Sequence, residues 1–418
     1  MRMLLLICAF SAIFYSVICR PSSEYGWSYG GQPSFPYGGQ PSFPYGGQPS
    51  FPHFSTPALT QWRETVVEES GHSEVAFFRG NQLFFIDTYQ QKLCSFHTTD
   101  RKTYCAHIGQ GVLSFAAPVK SHPKIFVVGC GSNILLIKWD SSKDATSVRH
   151  YTLTSAHQPP QDPLPRGSRV GYGTVDYKER LWFVTTNDNL NYHAANWGTV
   201  YCMDQNAGIE KKISLLPSVT GGFVWDVPRG KPKKRRSPPH KFYYADTLNH
   251  DIIDYNHWLQ NGEIERTGVV HSLPKHQVPG DPGRIAIDSN GYLWVPLIGS
   301  HRVIQYDPFQ EKVLQTILIP AAKVGACIFG GSLLYVSTIG YGENKYRPPG
   351  DEGGYIYAIH NLGVTGLLTR EYHLHKDIIF RASASLEEIS YKRSGRKPKA
   401  ALGKGSSSDM DLNRSLAD

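Results

Sequence analysis

The sequence predicts an all-β fold, a six-bladed β-propeller with disordered N- and C-terminal extensions. Three observations predict it. Short alternating or fully apolar runs recur along the chain, among them Glu74–Phe78, Lys124–Val128, Ile134–Trp139, Thr199–Met203 and Val303–Tyr306, with Gly, Asn, Asp and Pro turns between them. One run recurs almost as a copy: Gln82-Leu-Phe-Phe-Ile-Asp87, Arg180-Leu-Trp-Phe-Val-Thr185, Lys241-Phe-Tyr-Tyr-Ala-Asp246, Tyr292-Leu-Trp-Val-Pro296 and Leu333-Leu-Tyr-Val-Ser337. Each reads as the central strand of a blade. Helical periodicity is nearly absent, and a body of about 310 residues is long for one sandwich but suits six blades of about 50 residues.

Residues 1–19 read as a secretory signal peptide. Arg2 precedes an apolar run from Met3 to Cys19, and Arg20-Pro21 breaks it. The run is marginal for a membrane span and nothing later is long and apolar enough to be one. The mature chain is therefore expected to be secreted and extracellular, without a membrane span.

Residues 20–60 are expected to be disordered. They hold three consecutive copies of Tyr-Gly-Gly-Gln-Pro-Ser-Phe-Pro from Tyr29 to Pro52. Gly and Pro oppose regular structure and the aliphatic content is too low for a core. Tyr29, Tyr37 and Tyr45 place a phenol at a fixed spacing, suited to oxidative cross-linking between chains. Such tracts resemble those of cuticle, eggshell and other matrix proteins; a flexible spacer grown by repeat slippage is the plainer reading.

The propeller is assigned to 61–374 and a disordered basic tail to 375–418. The tail carries the sequon Asn413-Arg414-Ser415. Of the seven cysteines, Cys8 and Cys19 go with the leader, which leaves an odd number. Cys94 and Cys105 lie on adjacent strand-like segments joined by a turn, where cross-strand neighbours meet disulfide geometry, so they are the preferred pair. No Cys-x-x-Cys suggests a zinc knuckle.

The formal charge of +8 is concentrated in one place. Arg229 to Lys241 carries seven basic residues, including Lys233, Lys234, Arg235 and Arg236, and no acid. Without it the chain is near neutral, so a basic nucleic-acid groove is not supported and no nucleic-acid partner is expected. The cluster reads as a site for a polyanion such as a sulfated glycan, as a processing site after Arg236, or as a solvated insertion. His-Glu-x-x-His, Gly-x-Ser-x-Gly, P-loop and dinucleotide fingerprints are absent in any credible context.

From about Glu69 to Leu368 the residues resemble the regucalcin, gluconolactonase and luciferin-regenerating-enzyme family of six-bladed propellers. The resemblance rests on Gly173-Thr-Val-Asp176 before Arg180-Leu-Trp-Phe, on Lys241-Phe-Tyr-Tyr-Ala-Asp246-Thr247, on Ala286-Ile-Asp288-Ser-Asn-Gly291-Tyr-Leu-Trp-Val295 before Arg302-Val-Ile, and on Phe329-Gly330-Gly331. It implies a divalent cation at one mouth of the central channel, held by Glu, Asn and Asp from separate blades, with an Arg and an Asn orienting a lactone.

This chain departs from that pattern at every ligand. His72 stands for the Glu, Gly221 for the Asn and Gly283 for the Asp; Arg169 remains, but Gly171 replaces the second orienting residue. A local rebuild would use His72, Glu74 and Asp281, since a two-residue slip along a strand keeps the same face. A His ligand would favour zinc or another transition metal over calcium. The plainer reading is that His72, Glu74, Arg169 and Asp281 are ordinary mouth residues of a propeller that lost its metal.

No cofactor is then expected, and the chain leans away from enzyme chemistry. The favoured function is a secreted binding or matrix component, with extracellular matrix, a polyanionic glycan or a small organic ligand as partner. One alternative is a secreted metal-dependent lactone or ester hydrolase with a remodelled site. Another is a secreted propeller of the yellow and royal-jelly type.

Overall fold

The computed structural model describes residues 61–68, 70–155, 167–187, 198–216, 220–226, 239–341 and 346–383. The leader, the octapeptide repeats with Tyr29, Tyr37 and Tyr45, and the cluster Lys233, Lys234, Arg235 and Arg236 lie outside the described residues.

The described chain forms six antiparallel sheets, the blades of a propeller. The first blade runs Ser73–Arg79, Gln82–Asp87, Lys92–His97 and Lys102–His107 from inside to outside. The second runs Leu113–Val119, His122–Cys130, Asn133–Lys138 and His150–Ser155. The third runs Ser168–Val175, Leu181–Asn187, Gly198–Met203 and Ile209–Leu216; the fourth runs Thr220–Trp225, His240–Asp246, Asp251–Trp258 and Glu263–Ser272. In the fifth, the inner strand is broken into Asp281–Pro282 and Ala286–Ile287, followed by Leu293–Ile298, Arg302–Asp307 and Lys312–Leu318. The sixth runs Val324–Gly330, Leu333–Thr338 and Ile356–His360, and its outer strand is Trp62–Val67 from the other end of the chain. That strand closes the ring and covers an edge that would otherwise stay unpaired.

Each inner strand contacts the inner strands of both neighbouring blades, so the inner strands form the wall of a central channel. Six apolar clusters fill the six gaps between blades. Alternation explains the placement: a blade buries both faces against its neighbours, so its central strand reads as a continuous apolar run. Gln82–Asp87, Leu181–Asn187 and Leu293–Ile298 are buried over nearly their whole length.

The copied central-strand motif has a polar anchor. In the third blade Asp176 accepts from the Trp182 indole Nε1 at 2.8 Å and from the backbone N–H groups of Lys178 and Arg180. In the fifth, Asp288 accepts from Trp294 Nε1 at 2.9 Å, from Gln305 Nε2 at 3.1 Å and from the N–H groups of Asn290 and Tyr292. One carboxylate thus fixes the turn and the tryptophan together, so Asp and Trp recur six positions apart.

The folded body continues beyond 374, where the sequence reading ends it. Residues 376–383 form a helix, so the first turns of the expected disordered tail are ordered. The reason is burial. Tyr372, Leu374, Ile378, Ile379 and Ala382 join the cluster between the second and third blades. Tyr372 also pairs by backbone with Pro118 and Lys120, and its hydroxyl donates to the Asp204 carbonyl at 2.5 Å. A chain ending at Leu374 is expected to lose roughly 3–5 kcal/mol, the transfer free energy of two isoleucines and an alanine. A urea melt with an unchanged midpoint would show that the helix is only an appendage.

Candidate channel-mouth site

The N-terminal ends of the inner strands build the mouth. Five inner strands shift register near their start, at Ala76, Ser114, Gly171, Gly221 and Gly325, and the fifth blade breaks outright around Gly283. Bulges re-aim side chains and bend the strand. Here the residue at each irregularity is small, which lets neighbouring backbones close on one another.

Gly221 and Gly283 show how close this is. A Cβ at Gly221 would collide with the carbonyl oxygens of Pro282 and Gly283, and one at Gly283 with the carbonyl oxygen of Gly325. The backbones of the fifth and sixth blades occupy the space that side chains at these positions would need.

Glu74 is the acid at the mouth, its side chain 14% exposed. Its Oε2 pairs directly with Arg284 Nη2, and its Oε1 lies 3.5 Å from His72 Nε2. Burial pushes the Glu74 pKa up, but Arg284, His72 and Arg169 together outweigh it, and the carboxyl sits below its ordinary value. Arg284 also donates to the Gly171 carbonyl at 3.2 Å and lies over the Tyr172 ring at 5.1 Å from the centroid. Burial raises the Tyr172 phenol to about 12, against the pull of Arg284, so it stays neutral.

The structure therefore brings His72 and Glu74 together and sets Arg169 within electrostatic reach of them. Asp281 is engaged elsewhere: its Oδ1 lies 2.8 Å from His250 Nδ1, and burial raises its pKa despite that histidine. Arg169 Nη1 donates to the Val170 carbonyl at 3.1 Å. Arg284 and Tyr172 are the members that sequence reading passes over. The available signal was an arginine directly after the glycine that replaces the expected Asp.

The carboxylate of this set is already paired with a cation. Among the described residues, no three His, Cys, Asp or Glu side chains are grouped to hold a metal. The Glu74 carboxylate is already matched to a guanidinium, and a divalent cation beside Arg284 would meet like charge. Elsewhere, Cys94 and Cys105 are bonded across the outer hairpin of the first blade, while Cys130, Cys202 and Cys327 are free and buried.

Fold and mouth together define a six-bladed propeller whose channel is lined by the first strands of its blades. Residues 70–340 match the family described as SMP-30/Gluconolactonase/LRE-like region, and the chain belongs to that family. Human regucalcin is 27% identical over 314 residues, which span 72% of this chain and 94% of that protein. Among solved structures, a luciferin-regenerating enzyme superposes with a TM-score of 0.65 at 22% identity, covering 75% of this chain and all of the other. A regucalcin from Agrobacterium tumefaciens, described as a calcium-binding protein, gives 0.58 at 15% identity over 74% of this chain and 97% of its own.

Proposed function

We propose that this chain is a secreted, non-catalytic regucalcin/gluconolactonase-like propeller that serves as an extracellular binding or matrix component. The observation that carries this reading is the Glu74–Arg284 pair, with glycine backbone at 221 and 283. A metal would have to displace a guanidinium and would gain one carboxylate and one imidazole, too few for a hard cation. The Cys94–Cys105 bond supports an oxidising compartment, in keeping with the apolar leader. A small organic ligand approaching the mouth would meet Arg169, His72 and the half-exposed Tyr89, whose ring packs edge-on against His72 at 5.1 Å.

The repeat supplies the matrix function. Two phenols each lose one hydrogen atom to a peroxidase, hydrogen peroxide is reduced to water, and the two rings join through a carbon–carbon bond. Lys233 to Arg236 adds a site for a polyanionic glycan. The second reading, a secreted metal-dependent lactonase, draws on the closeness of His72 and Glu74.

The test is expression of the full chain in secretory cells, then treatment of the medium with peroxidase and hydrogen peroxide. The reading predicts protein in the medium lacking residues 1–19, with dityrosine fluorescence and insoluble polymer that fall sharply when residues 29–52 are deleted. Retention inside the cells, or equal cross-linking by the deletion variant, would refute it.

A further inference from the structure

We propose that the channel mouth is a cation site whose occupant is tethered: the guanidinium of Arg284 is its ligand, and removing that side chain opens the site to a free guanidinium-type cation. The argument starts from the partners. Three electron-rich groups face the Arg284 guanidinium from two other blades. The first blade gives the Glu74 carboxylate, and the third gives the Gly171 carbonyl at 3.2 Å and the face of Tyr172 at 5.1 Å. A carboxylate, a carbonyl and an aromatic face are the groups that recognise a planar delocalised cation.

The tether is as firm as the site. The Arg284 N–H donates to the Gly325 carbonyl at 2.9 Å, and its own carbonyl accepts from Cys327 N–H at 3.1 Å. Its backbone is thus held on the sixth blade, while its head reaches across to the first and third. The side chain is 11% exposed, and Glu74 is 14% exposed. Neither charge is solvated well enough to stand alone, so each depends on the other. The other Glu74 oxygen, Oε1, lies 3.5 Å from His72 Nε2.

If the site recognises the cation rather than the arginine, a free cation restores what truncation removes. In Arg284→Ala, the melting temperature is expected to fall by several degrees. Methylguanidinium at millimolar concentration is expected to raise it again in a saturable way. Methylurea, a neutral molecule of nearly the same shape, is expected to do nothing. Neither compound should move the wild-type chain, and Arg284→Ala/Glu74→Gln should not respond to methylguanidinium, because the carboxylate that selects the charge is gone. If Arg284→Ala does not fold on its own, recovery of folded chain on refolding with methylguanidinium, against methylurea and against Arg284→Ala/Glu74→Gln, carries the same comparison. The proposal is overturned if truncation leaves the melting temperature unchanged, if methylurea acts like methylguanidinium, or if the Glu74→Gln double variant still responds. The readout is stability alone, so it is independent of secretion, cross-linking and catalysis.

Discussion

Replacing Asp288 with alanine is expected to lower stability by roughly 3–6 kcal/mol. Asp288 is fully buried and accepts four hydrogen bonds: from the Trp294 indole, from the Gln305 amide and from two backbone N–H groups of the turn. Trp294 is itself fully buried, so its N–H would be left without a partner or water. An unmet buried donor costs about 1–3 kcal/mol, and here two buried side chains lose their acceptor at once. Asp288→Asn keeps one oxygen and should cost about 1–2 kcal/mol. Asp176→Ala should cost at least as much, because Asp176 anchors Trp182 and the neighbouring turn and also pairs with the Arg180 guanidinium at 2.7 Å. Urea midpoints of the three variants decide the matter. An Asp288→Ala chain as stable as the parent would mean that the turn and tryptophan need no anchor.

The second large effect is acid destabilisation. His257 and His271 are 0% and 1% exposed, and neither ring has a hydrogen-bond partner among the described residues. His257 lies edge-on to Trp182, and His271 stacks on His276 and lies against Tyr306. Burial pushes both pKa values down to about 4; Asp176 opposes this for His257, and His276 adds to it for His271. In the unfolded chain both titrate near the ordinary value of about 6.5. The unfolded state then binds protons first, so the stability carried by the neutral rings is full above about pH 6.5. It falls as the pH drops towards 4 and amounts to about 3 kcal/mol for each ring over the window. Asp87, Asp246 and Asp281, whose pKa values are raised chiefly by burial, act with the opposite sign in acid. The measurement is therefore a difference: the fall in melting temperature from pH 7 to pH 5 in the parent, compared with His257→Phe and His271→Phe. A smaller fall in each variant is expected, and equal falls would put the acid sensitivity elsewhere.

The fold was legible because blade construction repeats. The motif that ends in Leu-Trp-Phe or Leu-Trp-Val marks a central strand wherever it occurs, and Asp176 and Asp288 stand six residues before its tryptophan for a reason visible in both blades. The closing strand Trp62–Val67 and the helix over 376–383 were less legible. Each is short, and each is fixed by partners far away in sequence, His360 to Ile356 for one and the second and third blades for the other.

At the mouth, His72 and Glu74 could be placed together because they are two residues apart, His72 directly before the inner strand and Glu74 on it. Asp281 could not, since its choice of His250 over the channel depends on how the broken inner strand of the fifth blade turns. Arg284 was hidden for a related reason. Its neighbours Glu74, Gly171 and Tyr172 come from other blades, and no local pattern announces a contact across the ring.

The proposed loss of metal binding rests on the Arg284 guanidinium that pairs with Glu74 at the mouth. Elemental analysis of the full chain tests it most directly, after equilibration with calcium, magnesium, manganese and zinc and exhaustive dialysis. No stoichiometric metal is expected with any of the four. One tightly held ion per chain, lost in His72→Ala or Asp281→Ala, would contradict it and restore the metal-dependent hydrolase.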